Sequence, residues 1–447
     1  MSDRPRMAIR TLGCKLNQYE SEQLREDFEA LGFATVPFDA EAEVYVLNTC
    51  TVTHRTDRDA RRLARQARRR CPDAVIVLTG CCAEMHAGEL AALGVADVIA
   101  GNDAKPGLAR LAAERVAQRF PLPAEAPARD PERLVRHFPD NTRAFVKVQA
   151  GCDASCAYCI ISAARGPSRS TPGDTVLRQA DLLGRSGHPE VVLVGTHLGV
   201  WGRDLDVGAA GLADLLRAVC DLDSVARVRL SSIEPCEVTD ALIAMVCAGG
   251  RALVPDPALP GRGKVCRHLH IPLQSGCDAT LARMNRPYER ARYRDLVADI
   301  AAREPRASIG ADVLTGFPGE TDEEFAQTLE FVRALPVAYL HVFTYSERPG
   351  TAAAEMPGSV NPEVRKRRTR VLRELSAEKA AAFARAAVGG RLEVVVETPR
   401  DGAGRLHGIS DNYLRVALDG PDDLVGRIVP VAVTGADGAA LSGSLLE

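Results

Sequence analysis

Short apolar runs of β character alternate with amphipathic helical runs over most of this chain, and strands separated by helices can pair only as a parallel sheet covered on both faces. Met7 to Leu12 precedes a helical run from Asn17 to Leu31, Val44 to Asn48 precedes Arg55 to Arg70, and Ala74 to Thr79 precedes Glu84 to Leu93. Residues 1–120 therefore read as an α/β domain with a parallel sheet. Five prolines among mixed charges between Pro121 and Pro139 mark residues 121–139 as an extended linker. The alternation restarts at Ala144 to Gln149 and continues through Val191 to Val194, Val228 to Ser232, His268 to Leu273, Ala307 to Thr315 and Tyr339 to Tyr345. Six such units predict a partial (β/α)6 barrel over residues 140–380 rather than a closed eightfold one. Thr321 and Glu324 form a capping box, with Phe325, Leu329, Val332 and Leu335 on one face of the helix that follows. Arg251 to Gly263 reads as a loop insertion. Arg365 to Val388 reads as a basic helix, and the alternating strands after Gly389-Gly390 predict a small antiparallel β-barrel over residues 385–447.

At 447 residues the chain is about three times an ordinary domain of ~150 residues. Its 46% hydrophobic and 26% charged residues are those of a globular protein. The first thirty residues hold Arg4, Arg6, Arg10 and Lys15 without an apolar leader, and no apolar run reaches the ~18 residues of a membrane span, so a cytoplasmic protein with no membrane partner is expected. In that reducing compartment thirteen cysteines are not a disulfide framework, and some are expected to hold metal. A net charge of −3 excludes a global field for nucleic acid, leaving only local patches. Nearly all positive charge is arginine, as a GC-rich genome would dictate, so arginine counts alone carry little weight.

Cys152, Cys156 and Cys159 form a C-x3-C-x2-C motif directly after the first barrel strand. Three thiolates can hold three irons of a 4Fe-4S cluster and leave the fourth open to a ligand; zinc is the lesser alternative, because it normally takes a fourth protein ligand and no His or Cys follows at a finger-like distance. Cys14, Cys50 and Cys81 each lie just past a strand end of the first domain. Parallel strands share one carboxyl edge, so these three can converge on a second cluster; small buried hydrophobes at strand ends are the alternative.

The motif Gly151-Cys152-Asp153-Ala154-Ser155-Cys156-Ala157-Tyr158-Cys159, with an aromatic residue before the third cysteine, resembles the signature of the radical S-adenosylmethionine superfamily. That resemblance implies S-adenosylmethionine on the open iron, cleaved by one electron to a 5′-deoxyadenosyl radical. Thr11-Leu12-Gly13-Cys14-Lys15-Leu16-Asn17-Gln18, Asn48-Thr49-Cys50-Thr51-Val52 and Thr79-Gly80-Cys81-Cys82-Ala83-Glu84 resemble the three cysteine blocks of the methylthiotransferase family. These imply Cys14, Cys50 and Cys81 as ligands of an auxiliary 4Fe-4S cluster, with Cys82 a stand-in for Cys81. Arg165-Gly166-Pro167-Ser168-Arg169-Ser170, His270-Ile271-Pro272-Leu273-Gln274-Ser275-Gly276 and Gly316-Phe317-Pro318-Gly319-Glu320-Thr321 extend the match, and Ser162 departs from it where the family has proline. Tyr158, Gly195, Gln274, Ser275 and Gly316 sit where such enzymes cradle S-adenosylmethionine; tight strand-to-helix turns with no ligand contact are the alternative for Gly195, Gln274-Ser275 and Gly316. The other cysteines, at 71, 220, 236, 247, 266 and 277, show no ligand spacing.

The family inserts a methylthio group at an unactivated carbon. The residues after Cys14, Lys15 and Gln18 among them, resemble the branch acting at C2 of N6-threonylcarbamoyladenosine beside the tRNA anticodon. N6-isopentenyladenosine, a ribosomal-protein aspartate and a non-enzymatic iron-sulfur RNA-binding or electron-transfer role are the alternatives. The C-terminal strands resemble the small RNA-binding (TRAM-like) barrel of these enzymes. Arg365, Lys366, Arg367 and Arg368, with Arg370 and Arg373, are candidate phosphate contacts, as are the eight arginines between Arg55 and Arg70. Solvated helix faces are the plainer reading of both segments. The resemblance also implies an electron donor of flavodoxin or ferredoxin type and a sulfur source, and no catalytic acid or base is identified.

Overall fold

The computed structural model describes residues 4–117, 132–205, 211–248, 263–398 and 400–446. Its first sheet is parallel throughout, with β1 (Arg6–Thr11), β2 (Ala34–Val36), β3 (Val44–Thr49), β4 (Val75–Gly80) and β5 (Val98–Ile99) in the order β2-β1-β3-β4-β5. On one face Met7, Val44, Val46 and Val77 meet Leu24, Phe28, Leu108 and Ala112; on the other Tyr45, Leu47, Ile76 and Leu78 meet Ala64, Ala67 and Leu90. Burial on both faces is why these strands read as continuous apolar runs. The edge strands β2 and β5, three and two residues long, are too short to show a period. The helix expected over Glu84 to Leu93 is two short helices, Cys81–Met85 and Ala87–Ala92, broken at His86.

The second part begins with β6 (Ala144–Lys147), followed by a two-residue antiparallel pair, β7 (Gln149–Ala150) and β8 (Arg169–Ser170). Next come β9 (Glu190–Val194), β10 (Arg227–Leu230), β11 (His268–His270), β12 (Ser308–Thr315) and β13 (Tyr339–Thr344). Parallel sheets β6-β9-β10 and β11-β12-β13 are joined by single parallel bridges, Val228 to Val265 and Ser232 to His270. The result is the six-stranded open arc expected from the sequence. The Thr321 capping box forms, with reciprocal bonds of 3.2 and 3.1 Å to Glu324. Along β13, Leu340 and Val342 are buried in the core shared with Leu372 and Leu375 of helix Pro362–Ala386, which leaves Tyr339, His341 and Phe343 on the concave face. Across that face Tyr339 reaches His268 and His270 over Gly310, where a Cβ would lie 2.3 Å from the tyrosine ring.

Two expectations are corrected. Within the segment read as linker, Val135 and Phe138 are fully buried in the barrel core and Arg133 pairs with Asp27, so residues 132–139 are packed structure; residues 121–131 lie outside the described residues, as does the insertion at 251–262. The C-terminal barrel is not wholly antiparallel. It comprises β14 (Arg391–Glu397), β15 (Leu406–Ser410), β16 (Arg415–Leu418), β17 (Ile428–Asp437) and β18 (Ala440–Leu445), closed in the order β14-β15-β16-β18-β17. Four pairs are antiparallel and β16–β18 is parallel. A ring with an odd number of strands cannot alternate direction all the way round, so one parallel seam is unavoidable.

Buried ion pairs join the three parts. Glu20, on helix Lys15–Ala30, takes Arg165 at 2.9 and 3.1 Å and also pairs with Lys105, while Arg165 reaches Asn17 Oδ1 at 2.5 Å. At the other end, Glu190 is held by Arg227 at 2.6 Å and Arg229 at 2.7 Å. The same two guanidinium groups donate to the carbonyls of Glu393, Ile409, Ser410 and Asp411 in the C-terminal barrel. Burial alone would raise the Glu20 carboxyl, but the charges of Lys105 and Arg165 override it and hold the group well below the usual carboxylate range. Its contribution is therefore complete above the unfolded pKa of about 4.3 and is lost as pH falls below that value. Glu20→Gln, which strands two buried cations, should cost about 3–5 kcal/mol at pH 7. In urea titrations the gap between wild type and variant should narrow between pH 5 and pH 2; a gap that stays constant would refute the assignment.

Candidate catalytic centre: two sets of three cysteines

Because β1, β3 and β4 are neighbours and parallel, the loops after them open on one edge of the sheet. Gly13, with φ +100°, lets the first loop close on the second: a Cβ there would lie 2.6 Å from Cys50 Cβ and 2.8 Å from its Sγ. Gly80, with φ +90°, does the same for the third, since a Cβ would lie 2.4 Å from Thr49 O. Asn17 ties the loops by donating to Leu12 O at 2.8 Å and Thr49 O at 3.0 Å, and Asn48 donates to Asn17 O at 2.9 Å. Cys14, Cys50 and Cys81 are thus brought together. Cys82 lies instead in the apolar core with Ile76, Leu78 and Leu90, where burial pushes its thiol up to about 12. Burial likewise raises Cys14, against the pull of Arg165, and lifts Cys50 to about 11, with Cys81 and Cys14 adding to the shift. Three converging thiols beside a fixed guanidinium, two of them made harder to ionise by burial, suit an iron-sulfur group whose metal would supply the charge that deprotonates them.

The second set sits on the loop between β7 and β8. Gly151, with φ +80°, is required because a Cβ would lie 1.8 Å from Pro167 O, which explains why the cysteine motif is followed by Arg165-Gly166-Pro167. Cys152 N donates to Gly166 O at 3.1 Å and Cys159 N to Cys156 O at 3.0 Å, while Ala157 N donates to Met284 O at 2.9 Å. Each outer face of the loop carries a charged partner. Arg286 Nη1 lies 3.0 Å from Cys156 Sγ and is itself held by Glu234 and Tyr288. His197 Nδ1 lies 3.5 Å from Cys152 Sγ, and its Nε2 lies 2.7 Å from Glu237. Burial opposes charge on His197, but Cys152 and Glu237 lift its pKa to about 10. Burial pushes Cys159 up to about 11. The donor set fits a cluster held by three thiolates, with cations poised against its negative charge. Ser162 lies inside the five-residue helix Ile161–Arg165 and accepts from Gly166 N at 2.9 Å, so loss of the family's proline leaves that turn regular.

Gly195, Gln274 and Gly316 end up at the carboxyl ends of β9, β11 and β12, around the Cys152 loop. At Gly195 a Cβ would lie 2.9 Å from Gln149 Oε1, and at Gly316 (φ +73°) 2.3 Å from Arg365 Cγ, so both glycines also meet a packing need. Gln274 is left-handed at φ +65°, a strained backbone for a side-chain-bearing residue. Ser275 is buried with its hydroxyl 3.1 Å from Thr328. Tyr158 stands edge-on to Phe317 at 6.5 Å.

The basic helix divides by phase. Arg368 is 3% exposed and donates to Glu320 at 2.7 Å and Asp322 at 2.8 Å, so it anchors the helix to the barrel and is not a phosphate contact. Arg365 stacks over Tyr345 at 5.3 Å beside Gly316 and is likewise a packing residue. Lys366, Arg367 and Arg370 face outward. On helix His54–Arg70, Ala60, Ala64 and Ala67 are buried, while Arg55, Arg58, Arg62, Arg65 and Arg69 form one exposed stripe at intervals of three and four residues. Sequence reasoning missed Arg286, His197 with Glu237, and Arg348, whose buried guanidinium bonds Thr51 O at 2.8 Å and Asp57 at 2.5 Å beside the Cys50 loop. None of them has a spacing that marks it.

Residues 6–101 match a family model described as uncharacterized protein family UPF0004, and residues 146–332 match the radical SAM superfamily. The chain is 36% identical to the threonylcarbamoyladenosine tRNA methylthiotransferase MtaB of Bacillus subtilis, over 96% of this chain and 93% of that protein. It is 36% identical to a tRNA-2-methylthio-N(6)-dimethylallyladenosine synthase of Parafrankia sp., over 96% of this chain and 83% of that one. Among solved structures, the radical S-adenosylmethionine methyltransferase TsrM of Kitasatospora setae shares the fold, with a TM-score of 0.56 at 15% identity over 89% of this chain and 79% of that one. With the full-length match behind it, the chain belongs to the radical S-adenosylmethionine methylthiotransferase family, on its threonylcarbamoyladenosine branch.

Proposed function

We propose that this protein methylthiolates C2 of N6-threonylcarbamoyladenosine beside the tRNA anticodon, using two 4Fe-4S clusters, one on Cys152, Cys156 and Cys159 and an auxiliary one on Cys14, Cys50 and Cys81. The observation that carries the reading is the physical coupling of the two cysteine sets. Asn102 Nδ2 lies 4.0 Å from Cys81 Sγ and donates at 2.7 Å to Ala164 O, on the helix that follows Cys159, while Arg165 of that helix clamps the helix that follows Cys14. A C–H bond on an aromatic ring gives a general base no useful acidity, and the clusters with S-adenosylmethionine supply the one-electron chemistry and sulfur that the reaction requires.

The protein's own residues position and shield. Arg286, His197 and Arg165 set positive charge against the thiolates. Phe317, Met284, Leu314 and Tyr345 pack around Ala157 and back one side of the cysteine loop with apolar surface. The arginine stripe on helix His54–Arg70 and the outward Lys366, Arg367 and Arg370 are suited to tRNA phosphates, and the C-terminal barrel supplies a further RNA-binding face. An electron donor of flavodoxin or ferredoxin type and a separate sulfur source complete the reaction. No described helix is long and apolar enough to cross a membrane. We place the enzyme in the cytoplasm, with its tRNA.

The match to the dimethylallyladenosine synthase makes that nucleoside the second reading. Mass spectrometry of tRNA nucleosides from cells with and without the gene separates the two. Loss of 2-methylthio-N6-threonylcarbamoyladenosine with accumulation of its precursor supports the proposal, and loss of the isopentenyl counterpart replaces it. Cys152→Ala should abolish 5′-deoxyadenosine formation, whereas Cys50→Ala should retain measurable cleavage but lose sulfur insertion; methylthiolation undiminished in either would sink the ligand assignment. Replacing Lys366, Arg367 and Arg370 together with alanine should weaken tRNA binding about tenfold near 0.1 M salt and flatten the logarithmic salt dependence by roughly two units, read by filter binding across a salt series.

A further inference from the structure

Three neighbouring strands of the arc bring together a second kind of donor set, one without cysteine. His270 ends β11, Asp312 lies within β12 and His341 within β13. The parallel register sets His270 opposite Gly310 and Asp312 opposite His341, so all three side chains rise from the concave face. His270 Nε2 lies 2.8 Å and His341 Nδ1 3.5 Å from the same oxygen of Asp312, Oδ1. The three atoms fall within 4.8 Å of one another, and the two imidazoles stack with their centroids 4.8 Å apart.

The spacing separates two explanations. A hydrogen-bonded chain of His, Asp and His accounts for the shorter contact, but 3.5 Å exceeds the span of about 2.7–3.2 Å that an N–H to oxygen bond normally takes. Donor atoms sharing a tetrahedral ion, with bonds of about 2.0–2.1 Å, stand ~3.3 Å apart, between the two observed values. The gap between the rings closes by a turn of His341, whose side chain is 53% exposed. An ion can reach the group, because Asp312 is also 19% exposed and only His270, at 8%, is buried.

His270 is oriented from behind. Its Nδ1 meets the Tyr339 hydroxyl at 3.2 Å, which leaves Nε2 to face Asp312. Tyr339 is fixed in turn by His268 Nε2 at 2.9 Å and by the space that Gly310 leaves for its ring. Holding the second nitrogen of a histidine in this way is how metal sites set ring orientation. Burial would raise the Asp312 carboxyl, but the two imidazoles override it and hold the group well below the usual carboxylate range. Magnesium and calcium take mainly oxygen donors, whereas two imidazoles and one carboxylate suit a first-row divalent ion. Asp312 precedes Gly316, and His270 precedes Gln274, by four residues, which sets the group roughly 13 Å along the strands from the turns around the Cys152 loop.

We propose that His270, Asp312 and His341 bind a divalent transition ion of the zinc class inside the arc, with a coordination position left open towards the concave side for water or a substrate oxygen. The site is separate from both cysteine sets and does not depend on the substrate reading above.

The test uses the iron-loaded full chain, equilibrated with zinc against a competing chelator and desalted, with zinc and iron per chain read by elemental mass spectrometry. Wild type should retain about one zinc beyond its iron. His341→Ala and Asp312→Asn should each weaken zinc binding at least ~100-fold, with iron content and visible absorption unchanged, and His341→Asp, which keeps a ligand, should restore part of it. Equal zinc binding in wild type and His341→Ala would put the ion on other groups, the cysteines among them, and overturn the inference. A wild type that retains no zinc overturns it as well, as does a zinc loss that tracks loss of iron in every variant. None of these results touches the methylthiotransferase reading, which the nucleoside analysis decides.

Discussion

The carboxylate of Glu20 is the point on which the two cysteine sets depend. Its partners come from three stretches far apart in sequence: its own helix begins at the residue after Cys14, Lys105 lies beyond Cys81, and Arg165 ends the helix after Cys159. One buried anion shared by two cations fixes their mutual positions more tightly than apolar contact would, because a charge that loses its partner in that environment is stranded at high cost. Arg165 has a second effect through the same geometry, since its charge also reaches the Cys14 and Cys81 thiols. Assembly of the fold and the positive charge beside Cys14 and Cys81 thus come from one interaction.

Glycines perform the complementary task at short range. Gly13, Gly80 and Gly151 each adopt a backbone open to few other residues, and each brings a cysteine-bearing loop within van der Waals range of another backbone or cysteine. The thiols are in this way gathered by the polypeptide itself. For the clusters proposed above that preorganisation matters, because ligands that already converge would need little reorganisation to take them up.

Much of this was legible in the sequence, and the exceptions have physical causes. β9 is buried along its length and shows as an almost unbroken apolar run, while β10, β11 and β13 alternate polar with apolar residues; both patterns were legible, whereas β2 and β5 pair through two or three residues and leave none. Cys81 was distinguishable from Cys82 only by the family motif; in the structure Cys82 turns into the apolar core. A run such as Arg365-Lys366-Arg367-Arg368 announces charge without announcing phase. Which two of the four face the barrel is decided by Glu320 and Asp322, some forty residues earlier, and by Tyr345. Arg286 and His197 were invisible for the same reason, as single residues delivered to a cysteine by the closing of the arc.

The parallel seam of the C-terminal barrel sets an order of events during synthesis. β18 lies between β16 and β17, so the ring stays open along two edges until residue 445 has left the ribosome. The carbonyls of Ile409, Ser410 and Asp411 that satisfy Arg227 and Arg229 belong to that ring. The floor of the catalytic arc therefore waits, with two arginines short of acceptors, for a module made some two hundred residues later. The arc and the C-terminal barrel thus share one set of buried hydrogen bonds, and the segment made last supplies the acceptors for arginines made far earlier.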